Sequence, residues 1–130
     1  MDLVTIDGVN YDVCVMGIEE NFNVLDSDKS GRSISGKGRM IREVIGTFVG
    51  HKVKFQRKAS NIAAYDNLFN TLMKPVDSHT VKIVHGQTTI TYEAYVTAGK
   101  RNVQRIDGSK VMWGELEVDF TPMEAYQTPT

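Results

Sequence analysis

A stretch of eight residues comes close to a phosphate-binding loop. Residues 31–38 read GRSISGKG, which fits the G-x-x-x-x-G-K part of a motif whose backbone amides cradle phosphate oxygens. The position after the lysine, where Ser or Thr must hold magnesium, is Gly38. The next residues, 39–47, are rich in β-branched side chains and favour a strand over the helix that a phosphate loop needs. The stretch therefore predicts a polar loop rather than a nucleotide site.

The same region imitates the start of a calcium-binding EF-hand loop. Asp26, Asp28, Ser30 and Gly31 occupy the opening positions of such a loop. Its twelfth position must be a bidentate Glu and is here Lys37, a cation that would repel the metal. We expect no calcium site.

The three histidines do not have the spacing of a metal site. The histidines are His51, His79 and His85, and no pair stands one helical turn apart. Asp77, Ser78 and His79 have the residue types of a hydrolase triad, but adjacent residues cannot converge as a triad does. We therefore predict that the chain is not an enzyme and has no catalytic residue, cofactor or metal ion.

Composition is that of one globular domain. The chain has 130 residues, of which 41% are hydrophobic, enough for a single core at 1–121 with a frayed tail at 122–130. Cys14 is the only cysteine, so no internal disulfide can form. No apolar run has the length of a membrane span and the first residues do not fit a signal peptide, so we expect synthesis in the cytosol and no membrane partner.

Charge is segregated along the chain although the net charge is only −1. Residues 1–20 and 115–124 carry acids without a base, whereas residues 26–58 and 99–110 are mainly basic. Such asymmetry indicates either nucleic-acid binding or complementary contacts between identical subunits, unless the charges only line solvated faces.

Two strand-like arms flank a long polar loop in the first half of the chain. Phe22 and Val24 share one face of the arm at 18–25, and the second arm starts at 39. The loop, 26–38, holds three Gly, four Ser and one aliphatic residue, too little apolar surface to offset the entropy of ordering it. We expect a neighbouring subunit to order it.

Further elements follow from periodicity and turn residues. Asp7-Gly8 predicts an opening hairpin between 3–6 and 11–15, and Gly86-Gln87 predicts a second hairpin at 81–96. Residues 99–110 are predicted as a basic connection. A closing strand at 112–120 should place its apolar residues inward and its acids outward; the apolar ones are Leu116, Val118 and Phe120.

One helix is predicted, at 60–74. Ser60 can cap its start and Pro75 ends it. Its apolar face should cover the sheet and consists of Ile62, Tyr65, Leu68, Phe69 and Leu72. The chain as a whole is thus predicted to be mainly β (α+β), an antiparallel β-sandwich or partly open barrel of about seven strands with one packed helix.

Four segments carry a resemblance to a known family. They are ENFNVLDSDKSGRSISGKGRMIREVIGTF, AAYDNLFNTLMKPVDSHTV, TYEAYVTAG and WGELEVDFTPM. In this order and spacing the chain resembles small structural proteins of the tail modules of phages and prophages of Gram-positive bacteria. The resemblance implies a tail-tube-like fold, with a helix and an extended loop that clasps the next subunit of a ring. It also implies synthesis in the bacterial cytoplasm and a final place in the virion tail or baseplate.

The leading hypothesis is therefore a non-enzymatic tail or baseplate subunit that forms or docks on a ring. Its partners would be further copies of the chain and other tail proteins. The predicted interface consists of Asp26, Asp28, Arg32, Lys37, Arg39, Arg42, Glu115, Glu117 and Asp119. The alternative is a small-barrel module that binds single-stranded nucleic acid. We consider nucleic acid the less favoured partner, because residues 26–42 and 99–110 are basic but contain no aromatic residue for base stacking. Phe55 alternates with lysines and should therefore point into the core.

Overall fold

The computed structural model describes residues 4–27, 30–32 and 38–128, without the side chain of Ile41. Nine strands and one helix occur within these ranges. They are β1 (Val4–Ile6), β2 (Cys14–Asp26), β3 (Gly31–Arg32), β4 (Met40–Ile41), β5 (Val44–Gln56), α1 (Ile62–Leu72), β6 (His79–His85), β7 (Thr88–Tyr95), β8 (Gly99–Asp107) and β9 (Lys110–Pro122).

Seven strands form one antiparallel sheet in the order β1-β6-β7-β9-β5-β2, with β8 also paired to β9. The long strand β9 joins two parts, because it pairs with β8 and β5 over most of its length and with β7 only at its end. We call β8-β9-β5-β2 the front sheet and β1-β6-β7 the back sheet. Most of the described residues lie in strands, and the sheet is not closed into a barrel. The predicted mainly β class, strand number and single helix are therefore confirmed.

The core lies between the two sheets and the helix. Val53 and Phe55 of β5 and Val81 and Ile83 of β6 are almost fully buried in one cluster. The predicted inward residues of the closing strand, Leu116, Val118 and Phe120, belong to the same cluster. Strand alternation therefore predicted these positions correctly, since one face of each strand packs on the core.

The helix covers this core as predicted, but two details differ. Its cap is Asn61 and not Ser60, because the Asn61 side chain accepts a hydrogen bond from the Ala64 amide at 3.2 Å. Tyr65, Leu68 and Leu72 are buried, whereas Ile62 is 46% exposed because it lies in the first turn, at the end of the apolar face.

The predicted opening hairpin is wrong. Asp7 and Gly8 do adopt positive φ in a tight turn, but β1 pairs with β6, with Val4 opposite Ile83. A turn signal is local, whereas the partner of a strand depends on where its apolar side chains can be buried. Val4 and Ile6 reach the core only on β6.

The predicted basic connection at 99–110 is also wrong, because residues 99–107 form strand β8 and pair with β9 from Gly99 opposite Val118 to Asp107 opposite Lys110. Most residues of β8 are exposed. An edge strand with polar side chains on most positions has a weak apolar alternation, which is why the sequence pattern suggested a connection.

The two predicted arms pair into one long hairpin. Strands β2 and β5 pair from Cys14 opposite Gln56 to Asp26 opposite Val44. Beyond them, β3 pairs with β4 through Gly31 and Arg32. The predicted loop is therefore partly strand at its described residues, while its residues 28–29 and 33–37 lie outside the described part of the chain.

The C-terminal residues 123–127, which we call the strap, reach the edge of β5 and pair with it at Thr47. The amides of Tyr126 and Gln127 donate to the carbonyl of Thr47, and the Thr47 amide donates to the carbonyl of Gln127. This bridge is possible because Gly46 has no side chain: a Cβ there would lie 2.7 Å from the Gln127 carbonyl oxygen. The strap and β9 lie on the same side of β5: β9 pairs with residues 51–55 of β5 and then with β7, and the strap pairs with Thr47.

Candidate assembly surface

The front sheet has two open edges. In the order β8-β9-β5-β2, strand β2 has no strand beyond it over Cys14–Asp26, and neither does β8 over Gly99–Asp107, among the described residues. An open edge exposes backbone donors and acceptors that can pair with a strand of another chain. Natural monomers keep such edges short or protected, whereas β2 is 13 residues long.

Apolar side chains are exposed close to both edges. On the β2–β5 hairpin, Phe22 is 70% exposed. On the β8–β9 hairpin, Ile106 is 67% exposed. Others at least 41% exposed are Val24, Leu25, Ile45, Val103 and Val111. Exposed apolar groups along an unpaired edge are typical of a surface that another protein covers.

The sequence predicted that Phe22 and Val24 share a face, and they do, but this face is buried only up to Ile18. Strand β9 pairs with β5 between His51 and Phe55 only. Beyond His51, Val49 of β5 is still buried, whereas Phe22 and Val24 of β2 are exposed. Sequence alternation could not reveal this, because a residue on the core side of a strand is buried only where the opposite layer reaches it.

The basic residues of the predicted interface lie at the distal end of the hairpin. Arg42 forms an ion pair with Asp26 of the same chain at 2.8 Å, and this carboxylate raises the pKa of the guanidinium. Arg32 donates to the Gly38 carbonyl at 3.4 Å, and Arg39 is exposed. Asp28 and Lys37 lie outside the described residues.

The acidic residues of the predicted interface lie at the other end of the front sheet. Glu117 is 3.5 Å from both Lys54 and Lys100, and Asp119 is opposite Lys52. Burial opposes ionisation of Glu117, but the two lysines outweigh it and lower its pKa. Glu115 is exposed.

The structure therefore does not bring these basic and acidic residues together within one chain. Glu117 faces Lys54, and ten positions of β5 separate Lys54 from Val44 at the distal end, which is about 33 Å of strand. Contact between the two groups of charges needs two subunits.

The three histidines are held by carboxylates. His51 is 1% exposed. Its Nε2 lies 2.9 Å from Glu20 and 3.1 Å from the Val84 carbonyl, and its Nδ1 lies 2.8 Å from the Tyr92 hydroxyl. His85 Nδ1 lies 2.7 Å from the same Glu20 oxygen. No sequence spacing indicated this cluster, since it joins four strands.

The triad-like residues do not converge on one another. His79 is buried and its Nδ1 lies 2.7 Å from Asp7, not from Asp77. The Ser78 hydroxyl donates instead to Glu93 at 2.8 Å. Asp7 also accepts from the Thr80 amide, so the pair fixes the turn after β1 onto β6.

A second polar cluster fastens β8 to the helix. The Arg101 guanidinium carbon lies 3.9 Å from the Phe69 ring centroid and 4.4 Å from that of Trp113. It also forms an ion pair with Asp66 at 2.9 Å. Trp113 packs against the core cluster where the β8–β9 pairing is irregular.

Within the described ranges, no group of three or more His, Cys, Asp and Glu side chains is arranged to hold a metal ion. In the same ranges, no helix combines the length and the apolarity that crossing a membrane requires. No protein-family model matches this chain, and no curated protein matches it either.

Proposed function

We propose that this chain is a non-enzymatic structural subunit of a phage or prophage tail or baseplate, which assembles with further copies of itself into a ring. The observation that carries the proposal is the pair of open edges on one sheet, β2 and β8. The resemblance to tail-module proteins of Gram-positive bacteria supports the same assignment. Other tail proteins would be its further partners, and it would be made in the bacterial cytoplasm.

The direction of the strands makes the two edges complementary. Neighbouring strands of the front sheet are antiparallel, so the first and the fourth strand, β8 and β2, run in opposite directions. When copies are related by rotation about an axis along the strands, β8 of one copy meets β2 of the next in antiparallel orientation. Repeating this contact closes a ring of front sheets, which is a head-to-tail arrangement with closed symmetry.

The exposed apolar residues would supply affinity at this contact. Phe22 and Ile106 lie on the two hairpins that bear the open edges. Exposed charge pairs contribute under about 1 kcal/mol each, so backbone pairing and apolar burial must provide most of the free energy. The charges of the hairpin end, such as Arg32 and Arg39, would set the orientation of the neighbour.

Single-strand nucleic-acid binding is less well supported. The sheet is not closed into a barrel. Lys54 and Lys100, which lie in basic stretches, are ion-paired with Glu117 in the same chain.

A proline on β2 tests edge pairing. The amide and carbonyl of Thr47 point to the strap and therefore away from β2. In an antiparallel ladder, the amide and carbonyl of the opposite residue, Val24, then point away from β5, to the free edge. Phe22, two residues before Val24, has the same orientation, so its amide also points to the free edge. Phe22→Pro therefore removes a donor from the free edge and keeps the β2–β5 ladder. Phe22→Ala is the matched control, since it removes the same ring and retains the amide.

Mass photometry over a concentration series should show closed oligomers of the wild type. Phe22→Pro should remain monomeric, with an unchanged circular-dichroism spectrum, and Phe22→Ala should assemble at higher concentration. A wild type that stays monomeric throughout, or a proline variant that assembles like the alanine variant, would contradict edge pairing.

Charge reversal separates the two functions. Arg32→Glu with Arg39→Glu should slow assembly and leave the melting temperature nearly unchanged, because both side chains are exposed. If instead assembly is unaffected and a gel shift with single-stranded DNA is abolished, the nucleic-acid function is correct.

A further inference from the structure

The cluster around Glu20 joins five elements that are distant in sequence. Glu20 lies on β2, His51 on β5, His85 on β6 and Tyr92 on β7. Tyr126 of the strap packs edge-on against His85, with ring centroids 5.1 Å apart. The cluster thus connects the free edge strand of the front sheet, the back sheet and the strap.

One carboxylate oxygen accepts two hydrogen bonds in this cluster. Nε2 of His51 faces two acceptors, Glu20 Oε2 and the Val84 carbonyl, so this nitrogen carries a proton. His85 Nδ1 donates to the same Oε2. Tyr92 then donates to the remaining ring nitrogen of a neutral His51. All these bonds are satisfied only while Glu20 is ionised, since a protonated carboxyl is a weaker acceptor and brings a donor of its own.

The elements held by this carboxylate have few other attachments there. Phe22, two residues further along β2, is 70% exposed. Among the described residues, the strap is joined to β5 by backbone hydrogen bonds at Thr47 alone and to β7 by the Met123 amide, which donates to the Glu93 carbonyl at 2.9 Å. A pocket of about 260 Å³ lies between them, lined by residues that include Glu20, Phe22, Val49, His85 and Tyr126. Loosely packed elements with few bonds open locally before the rest of a fold.

The electrostatics agree with an ionised Glu20 at neutral pH. Burial opposes its ionisation, but the hydrogen bonds that His85 and His51 donate outweigh burial, so the pKa of Glu20 lies below the ordinary value of 4.5. Burial, together with the charge of Glu20, raises the pKa of Tyr92, which stays a hydroxyl. The groups that face Glu20 from the packed elements are His51, His85, Tyr92 and Tyr126.

We propose that Glu20, His51 and His85 form a proton-operated latch. With Glu20 ionised, the latch holds β2 and the strap on the back sheet. When Glu20 takes up a proton from solvent, His85 loses its acceptor, His51 keeps only the Val84 carbonyl, and the strap is released. The consequence for assembly rests on the proposed function, because it requires β2 to be an interface strand. Release of the strap itself is a property of the single chain.

Glu20→Gln imitates the protonated state at neutral pH, and Glu19→Gln is the matched control. Glu19 is the preceding residue of β2, lies opposite Lys52 and faces away from the core. Hydrogen exchange of the full chain at a concentration where it is monomeric reports on the latch. The amides to follow are Thr47, Tyr126 and Gln127, and the reference amides are Val53 and Val118 of the β5–β9 ladder.

In Glu20→Gln the protection factors of the strap amides should fall about tenfold, the difference between charge-assisted and neutral hydrogen bonds. The reference amides should not change, and Glu19→Gln should behave as wild type. Protection corrected for intrinsic exchange should stay constant at the wild-type strap from pH 7 to pH 4.5 and fall below pH 4.5, because the pKa of Glu20 lies below 4.5. In Glu20→Gln it should not change with pH in this way. Wild-type protection in Glu20→Gln, an equal loss in Glu19→Gln, or a uniform loss that includes Val53 and Val118 would overturn the latch.

Assembly is measured separately by mass photometry at neutral pH, where Glu20→Gln should assemble less than Glu19→Gln. If neither the wild type nor any variant assembles, the proposed function is wrong, and the exchange data still show whether the latch exists. If Glu20→Gln loses strap protection and assembles normally, the latch stands and its role in assembly is wrong.

Discussion

The front sheet is fastened at its two sides by two different kinds of polar cluster. On the β2 side, Glu20 binds two histidines, one of them fully buried. On the β8 side, Arg101 lies between Phe69 and Trp113 and pairs with Asp66. The centre of the first cluster is a carboxylate, which acid neutralises, whereas the centre of the second is a guanidinium, which keeps its charge in acid. The two edges should therefore differ in how they respond to acid.

The largest effect is expected for His51→Ala. This substitution removes hydrogen bonds to Glu20, Val84 and Tyr92 and leaves a buried cavity with unpaired polar groups. The free energy of unfolding should fall by about 3 kcal/mol in urea titrations followed by Trp113 fluorescence. His85→Ala, whose side chain is 31% exposed, should cost about 1 kcal/mol. Equal costs would mean that burial does not distinguish the two histidines.

Arg101→Ala tests the other cluster and should cost about 2 kcal/mol, because a desolvated cation between two rings and its ion pair are lost together. Arg101→Lys should recover only part of the lost stability, since an ammonium group cannot stack on both rings.

Unfolding of these variants is best followed by circular dichroism, because Arg101 contacts Trp113 directly. Acrylamide should quench Trp113 more strongly in Arg101→Ala. Arg105→Ala is the control, since this side chain is 71% exposed, and it should change the free energy of unfolding by less than about 0.5 kcal/mol. An equal loss of stability in Arg101→Ala and Arg105→Ala would argue against the stacking.

Gly46→Ala should loosen the β2 side alone. A Cβ at Gly46 would meet the Gln127 carbonyl oxygen at 2.7 Å and the Ala125 side chain at 2.9 Å, so the strap must shift. We expect a cost of about 1 kcal/mol and faster exchange at Thr47. Gly17→Ala, which meets no atom within 4 Å, is the control and should be nearly neutral. Unchanged exchange at Thr47 would show that the strap does not depend on this close approach.

The smallest effect is the pH dependence of stability at the two edges. Because the pKa of Glu20 is lowered by folding, its contribution is complete above 4.5 and is lost as pH falls through the folded value. Its side chain is 35% exposed, so screening limits the contribution to under about 1 kcal/mol. Below pH 4.5, the free energy of unfolding should fall less steeply with pH in Glu20→Gln than in wild type, and Arg101→Ala should stay closer to the wild-type slope. Urea titrations at several pH values measure these slopes. If Arg101→Ala has the shallower slope of the two variants, the two edges do not differ in their response to acid as expected.

The candidate surface was only partly predictable from the sequence. The long hairpin and its charges were apparent because Phe22 and Val24 alternate and the loop residues are polar. The open edge of β8 was not, since its basic residues imitate a connection. The predicted interface between the basic residues of the hairpin end and the acids of a neighbour remains a prediction about two subunits. Within one chain, Arg42 pairs with Asp26, and Glu117 pairs with Lys54 and Lys100.

The sequence by itself determined the local features of this protein: the β class, the helix that ends before Pro75, the hairpin at Gly86 and the inward side chains of β9. These follow from periodicity and turn residues, which act between near neighbours. Only the tertiary structure decided that β1 joins β6, that β9 connects both sheets, and that Glu20 meets two histidines while Arg101 lies between two rings. Such contacts join residues far apart in sequence, and they form where apolar burial and hydrogen-bond satisfaction agree across the whole chain, which no local pattern encodes.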